Sequence, residues 1–203
     1  MTFAVLIVAG YLAGSMPFGY WVVRAFKHVD IRSVGSGNIG GTNVWRTYGR
    51  WYGLPVVLLD VFKGFVPALV ATVVAGHLAG VLAGGAAMLG HARPIFHRFA
   101  KGGKMVATCG GVFFGVAPLV AVCGLVSWVI IFLLLRYASV ASIVASLLLA
   151  PIAVGFGEPW PVWGFGAIAG IAVLVLHRAN LKRLVRGKEH RFELRRRSVP
   201  VSS

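Results

Sequence analysis

Acidic residues are nearly missing from this 203-residue chain: five Asp and Glu stand against twenty Lys and Arg, and charged residues of both signs make up only 12% of it. So few charges cannot clothe a soluble domain in hydrated surface. Cysteine is equally scarce. Cys109 and Cys123 both fall inside apolar runs, with no Cys-x-x-Cys and no His/Cys ligand spacing, which argues against a disulfide framework or a metal site. No Gly-Lys-Ser/Thr closes a Walker loop, no Gly-x-Ser-x-Gly marks a nucleophile elbow, and no pair of carboxylates is spaced for acid–base work. The N-terminus has no basic start, and its apolar run continues past Pro17 and Gly19, so it reads as a membrane helix and not as a cleaved signal peptide.

What is present is apolar. Hydrophobic residues make up 58% of the chain, glycines number 27, and the mean hydropathy is +0.84. A bilayer core of about 30 Å asks for about 20 apolar residues per helix, so this length allows a compact bundle with short loops and no separate soluble domain. Apolar runs predict an all-α polytopic membrane protein of about seven transmembrane helices, at 2–23, 54–75, 78–95, 105–116, 118–135, 139–154 and 160–176. The third and fourth are short and glycine-rich, as suits helices packed at close range.

A net charge of +15 in a soluble chain would suggest nucleic acid, but here the bases occupy the gaps between apolar runs. One set of loops receives Arg24, Lys27, Arg32, Arg46 and Arg50, then Arg98, Lys101 and Lys104, then Arg136 and the tail. The opposite loops carry no Lys or Arg. The positive-inside rule then places the N-terminus in the periplasm and the C-terminus in the cytoplasm. Residues 1–184 read as one transmembrane unit and 185–203 as a basic cytoplasmic tail lying on anionic headgroups.

Four polar segments fall on the cytoplasmic side. In the first, SVGSGNIGGTNVWRTYG at 33–49, Gly35, Gly37, Gly40 and Gly41 alternate with Ser36, Asn38, Thr42 and Asn43, so backbone N–H groups and side-chain donors can converge on an anion. Arg46 is placed to close over it with a forked guanidinium. In the second, GHARPIFHRFAKGGKMVAT at 90–108, Gly102 and Gly103 bring Lys104 to a helix N-terminus, which favours phosphate. His91 there orients a substrate hydroxyl or satisfies a backbone carbonyl, while Arg98 and Lys101 read as plain topology charges. The third, RYASVAS at 136–142, offers Ser139 and Ser142, residues that at helix ends commonly bond backbone. The fourth, HRANLK at 177–182, puts His177 and Asn180 three apart on one helix face. Asp60 and Lys63, also three apart, lie within an apolar run and suit an internal salt bridge.

Together GSGNIGGTNVWR, GHARPIFHRFAKGGK, RYASVAS and HRANLKRL, with GSMPFGYWV at Gly14 and LDVFKG at Leu59, resemble the bacterial acyl-phosphate:glycerol-3-phosphate acyltransferase family (PlsY type) from about Gly14 to Leu184. The resemblance implies a seven-helix enzyme of the bacterial inner membrane that moves a fatty acyl group from acyl phosphate to the 1-position of glycerol 3-phosphate, giving lysophosphatidic acid. It implies no cofactor, metal or nucleic acid, and membrane lipids as the surroundings. Carried over by position, Ser36, Gly37, Asn38, Gly40, Thr42 and Asn43 match the family's loop for the donor phosphate. Arg46, Lys104, Ser142, His177 and Asn180 match its polar cavity residues for glycerol phosphate, with His91, Gly103 and Ser139 as secondary candidates. Two positions depart from the pattern: Met105 stands where the family usually has Gly, and Gly41 where it usually has Ala. Missing as well is a His with an Asp five residues on, the base of acyltransferases that use thioester donors, so a substrate phosphate or His177 is left to take the hydroxyl proton. A small organic-phosphate transporter is the alternative, without an internal repeat to support it. A lipid-binding scaffold would rest on the basic tail alone.

Overall fold

The computed structural model describes residues 1–192, and among them the regular structure is entirely helical. In chain order the helices are α1 (Thr2–Gly14), α2 (Phe18–Lys27), α3 (Gly41–Tyr48), α4 (Arg50–Ala92), α5 (Val106–Val116), α6 (Pro118–Leu135), α7 (Ala138–Gly155), α8 (Trp160–Leu176) and α9 (Arg178–Val185), with 3-10 turns at Ile31–Ser33 and Ile95–His97. Every apolar run read from the sequence contains helix. By length and hydropathy, four stretches of the described residues can cross a membrane, or five if α8 and α9, bent by 56° at their junction, count as one.

The first run is broken. Pro17 has no N–H to donate to the helix ladder, and the chain kinks between α1 and α2. The long α4 is also not one rod. Ala75 and Gly76 leave helical geometry, Gly76 with φ of 81°, a conformation glycine adopts without a Cβ penalty. In a straight helix Gly80 would lie about 12 Å along the axis from Thr72. Instead a Cβ on Gly80 would collide with Thr72 Oγ1, so 50–74 and 77–92 form a hairpin whose turn faces away from the basic loops.

Small residues bring the helices together. A methyl on Gly10 would strike the Ala83 carbonyl and one on Gly14 the Ala87 carbonyl, which clamps α1 to the second arm of α4. Gly64 meets the Thr108 carbonyl and Gly111 the Val61 carbonyl, which holds α5 against the first arm. In lipid, where tails are as apolar as leucine, such backbone approach supplies much of the helix association. Gly14→Val is therefore expected to lower the melting temperature in detergent by more than about 5 °C, whereas Gly164→Ala, with nothing within 4 Å of the added Cβ, shifts it by no more than about 2 °C.

Phe113, Val112 and Met88 form the centre of the main core with Leu149, Val162 and Val173 from α7 and α8. A second cluster, Val23, Ile31, Ile39, Val44 and Val56, seats α3 and the loop before it against the start of α4. Leu119, Val126, Ile130, Leu133 and Leu134 along α6 remain exposed, an apolar face suited to lipid. The result gathers the ends of α2, α4, α6 and α8 and the starts of α5 and α7 at one end of the bundle, where the polar segments meet.

Candidate active site

The loop before α3 is built around Asn43, which is buried. Its Oδ1 accepts the Ser36 N–H at 2.9 Å, and its Nδ2 donates to the Val34 and Asn38 carbonyls at 3.1 and 2.9 Å. Both amide hydrogens are thereby engaged, so Asn43 shapes the loop from within. Gly35 and Gly37 take positive φ to let the chain wrap around it. Asn38 ties this loop to its surroundings. Its Oδ1 accepts the Gly40 N–H at 2.8 Å, and its Nδ2 reaches across to the Gly102 carbonyl at 3.3 Å, joining the first polar segment to the second. Gly40 precedes α3 with no side-chain cap, and the pocket runs past Ser36, Asn38, Gly40, Gly41 and Thr42.

In the second segment Gly102 and Gly103 donate to the Ala92 and His91 carbonyls at 2.9 and 3.0 Å, folding the loop onto the end of α4. Gly103 lies directly on the buried His91 ring, with no room for a Cβ. Lys104 then turns inward, and its Nζ donates to Asn180 Oδ1 at 2.6 Å. Burial first, then the charge of Arg183, lowers its ammonium pKa to about 8. Met105 takes a left-handed φ of 69°, the conformation a glycine would hold without strain, and its buried side chain joins the main core. Beneath the loop, Asp60 pairs with Lys63 at 2.8 Å, and Lys63 also donates to the Met16 carbonyl at 2.9 Å, so that pair is structural. His91 Nδ1 stands 3.7 Å from Asp60 Oδ1, beyond hydrogen-bond reach.

His177 closes α8. Its Nδ1 lies 2.8 Å from the Val173 carbonyl; a carbonyl only accepts, so Nδ1 carries a proton, and in the neutral ring Nε2 keeps its lone pair. Ser142 donates to the Ala138 carbonyl at 2.7 Å and accepts the Trp128 indole N–H at 3.1 Å, fixing the indole in the pocket wall. Ser139 donates to Glu189 Oε1 at 2.9 Å. Arg46 sits with its guanidinium 5.5 Å from the Phe192 ring centroid, and burial pulls its pKa below the usual range.

Of the residues matched by position to the family's site, all except Gly37 and Gly103 line one cavity of about 410 Å³, and those two shape its loops. Sequence reasoning missed Arg183, Glu189, Trp128 and Phe192, which also line it. The described part of the basic tail, to Phe192, returns to the pocket, and 193–203 lie outside the described residues. A lone acid in the run RGKEHR was the available signal for Glu189. Away from these groups the cavity is apolar, bounded by Phe114, Leu125 and Leu149 between α5, α6 and α7.

A pocket with Arg46, Lys104 and Arg183 among its polar residues and an apolar slot between helices has the shape and chemistry to take an anionic amphiphile. The chain belongs to the glycerol-3-phosphate acyltransferase family, whose model matches residues 4–187. It is 45% identical over 189 residues to the glycerol-3-phosphate acyltransferase of Aquifex aeolicus, covering 92% of this chain and 97% of that one. To the protein of the same name from Desulforudis audaxviator it is 41% identical over 196 residues, covering 95% and 98%. Two solved structures of PlsY (YgiH), an integral membrane glycerol 3-phosphate acyltransferase, superpose with TM-scores of 0.90 and 0.89 at 42% and 41% identity, each covering 95% of this chain and 96% of that one. They are its glycerol 3-phosphate and lysophosphatidic acid forms.

Proposed function

We propose that this chain transfers a fatty acyl group from an acyl phosphate to the 1-hydroxyl of glycerol 3-phosphate, releasing lysophosphatidic acid and phosphate. The observation that carries the reading is the two-ended pocket: an acyl phosphate has one charged end and one long apolar end, and both have a matching wall. The loop at 36–43 suits the donor phosphate through the Gly41 and Thr42 N–H groups that open α3 beside the pocket, while those of Ser36, Gly37, Gly40 and Asn43 bond within the loop. Arg46, Lys104, Asn180 and His177 suit glycerol 3-phosphate. The relatives' shared name supports the acceptor. The loop's suitability for phosphate supports an acyl phosphate donor, a mixed anhydride that carries a good leaving group and needs little activation.

In the step, the 1-hydroxyl oxygen attacks the acyl carbon, the bond from that carbon to the phosphate oxygen breaks, and phosphate departs with the electron pair. The hydroxyl proton ends on phosphate. What the protein must do is bring two anions together and offset their repulsion, which fixed cations and oriented amides accomplish. A substrate phosphate, with a second pKa near about 6, can take the proton itself. His177 Nε2 is the rival base. His177→Ala is expected to lower kcat by about 10- to 100-fold with a raised KM for glycerol 3-phosphate; a fall well beyond about 10⁴-fold in kcat would assign the base to His177.

We also place seven spans in the bacterial inner membrane, the N-terminus in the periplasm and the site facing the cytoplasm, supported by the bases gathered at the site's end and their absence from the opposite loops. The whole reading is tested by supplying the purified chain with glycerol 3-phosphate and either palmitoyl phosphate or palmitoyl-CoA. Equimolar lysophosphatidic acid and phosphate from the first alone is expected; product from the thioester alone would overturn the donor, and none from either would leave the transporter as the better account.

A further inference from the structure

Glu189 lies just beyond α9, in a stretch that reads as a solvated basic anchor. Its side chain is only 3% exposed. It accepts from Ser139 Oγ of α7 at 2.9 Å, and from Asn180 Nδ2 and Arg183 Nε of α9 at 2.7 and 2.8 Å. Burial alone would push the carboxyl up, but the hydrogen bonds from Asn180, Ser139 and Arg183 outweigh it and hold the pKa below the usual value. A carboxylate so buried persists only because it is so well partnered.

The bond to Asn180 acts on Lys104 as well. A carboxylate only accepts and an ammonium only donates. The Asn180 amide stands between the two, with Nδ2 toward Glu189 and Oδ1 toward Lys104 at 2.6 Å. The flipped amide would turn N–H groups on the ammonium and oxygen on the carboxylate, so a single orientation survives. On the other side of the pocket's charged end the Phe192 N–H donates to the Arg136 carbonyl at 2.8 Å and its ring lies under Arg46, so this short segment is fastened at both ends.

We propose that Glu189 is a positioning residue for acyl transfer: it sets the orientation of the Asn180 amide and, through it, holds the Lys104 ammonium at the phosphate end of the pocket. This rests on the acyl-transfer reading above. Among the described residues the charged and titratable groups acting on Lys104 are Arg46 of α3, Lys101 of its own loop, His177, Arg183 of α9 and Glu189, of which Glu189 is the acid. Without it, among the described residues, bases alone act on Lys104, and it loses its proton at lower pH.

The test compares the full chain with Glu189→Gln and Glu189→Asp in detergent, measuring kcat, KM and the pH profile with palmitoyl phosphate and glycerol 3-phosphate, and melting temperature. For Glu189→Gln the expected result is a fall in kcat/KM for glycerol 3-phosphate of about 30-fold and an alkaline limb lowered by about one unit, with a melting temperature near the parent's. Glu189→Asp keeps the charge and is expected to keep the limb while still losing activity, because its shorter side chain cannot hold all three donors. A limb unmoved in Glu189→Gln and kcat/KM within about threefold of the parent overturns the assignment. Should Glu189→Gln fail to fold, Glu189→Asp decides: unchanged kcat/KM overturns it, and reduced kcat/KM with the parent's limb supports it. A parent that turns over sets this outcome apart from failure of the reaction assignment, in which the parent itself is inactive.

Discussion

Replacing Lys104 by Ala is expected to lower kcat by about 10²- to 10³-fold, the usual effect of removing one fixed charge or donor from a developing anion. Two anionic substrates must meet at this end of the pocket, and Lys104 is the cation that its loop turns inward, with a hydrogen bond to Asn180 that fixes where its charge sits. The same residue predicts the pH dependence. Burial and the charge of Arg183 depress its pKa to about 8, and the ammonium is the form that binds phosphate. Below that value the charge is present; as pH rises through it the charge is lost. The kcat/KM profile, which reports the free enzyme, is therefore expected to fall above about pH 8 and to lose that limb in Lys104→Ala. Activity rising steadily to about pH 10 would contradict this role.

Gly103→Ala is expected to cost nearly as much although it removes no functional group. The added Cβ has no room against His91 Nε2, and that ring is buried and lies in the pocket wall. The Gly103 N–H is bonded at 3.0 Å to the His91 carbonyl, so the loop cannot lift without breaking that bond as well. Relief moves Lys104, and a displacement on the order of 1 Å at a reacting site costs about 10²-fold in rate. The expected outcome is kcat/KM down by about that factor with a melting temperature within a few degrees of the parent's, measured beside Gly164→Ala. Parent-like kinetics would mean that the loop has slack.

These two residues also mark what is legible in the sequence. Apolar length alone locates the long apolar helices and the turn at Gly76, because lipid demands continuous apolar segments. The break at Pro17 is harder to read, since apolar residues continue on both sides of it. α3 reads as part of a loop: eight residues starting at a glycine are too short to announce themselves, and they become helical by packing Val44 against Ile39 and Val56. The polar segments are recognisable from residue type and spacing. What spacing does not give is the division of labour inside them, in which Asn43 and Asn38 brace the loops while Lys104 and Arg46 reach the pocket. Glu189 and Arg183 are out of sight for a different reason. Their importance depends on 186–192 folding back over the site, a long-range contact that no local pattern in RGKEHRF encodes.

Acyl transfer to the 1-hydroxyl is tested most directly with glycerol 3-phosphate labelled with ¹⁸O in that hydroxyl, palmitoyl phosphate and the purified chain, by mass spectrometry of both products. The expected result is lysophosphatidic acid that carries the label in its ester linkage and released phosphate that carries none. Label in the phosphate, or recovered as a free hydroxyl on an acylated glycerol phosphate, would contradict it.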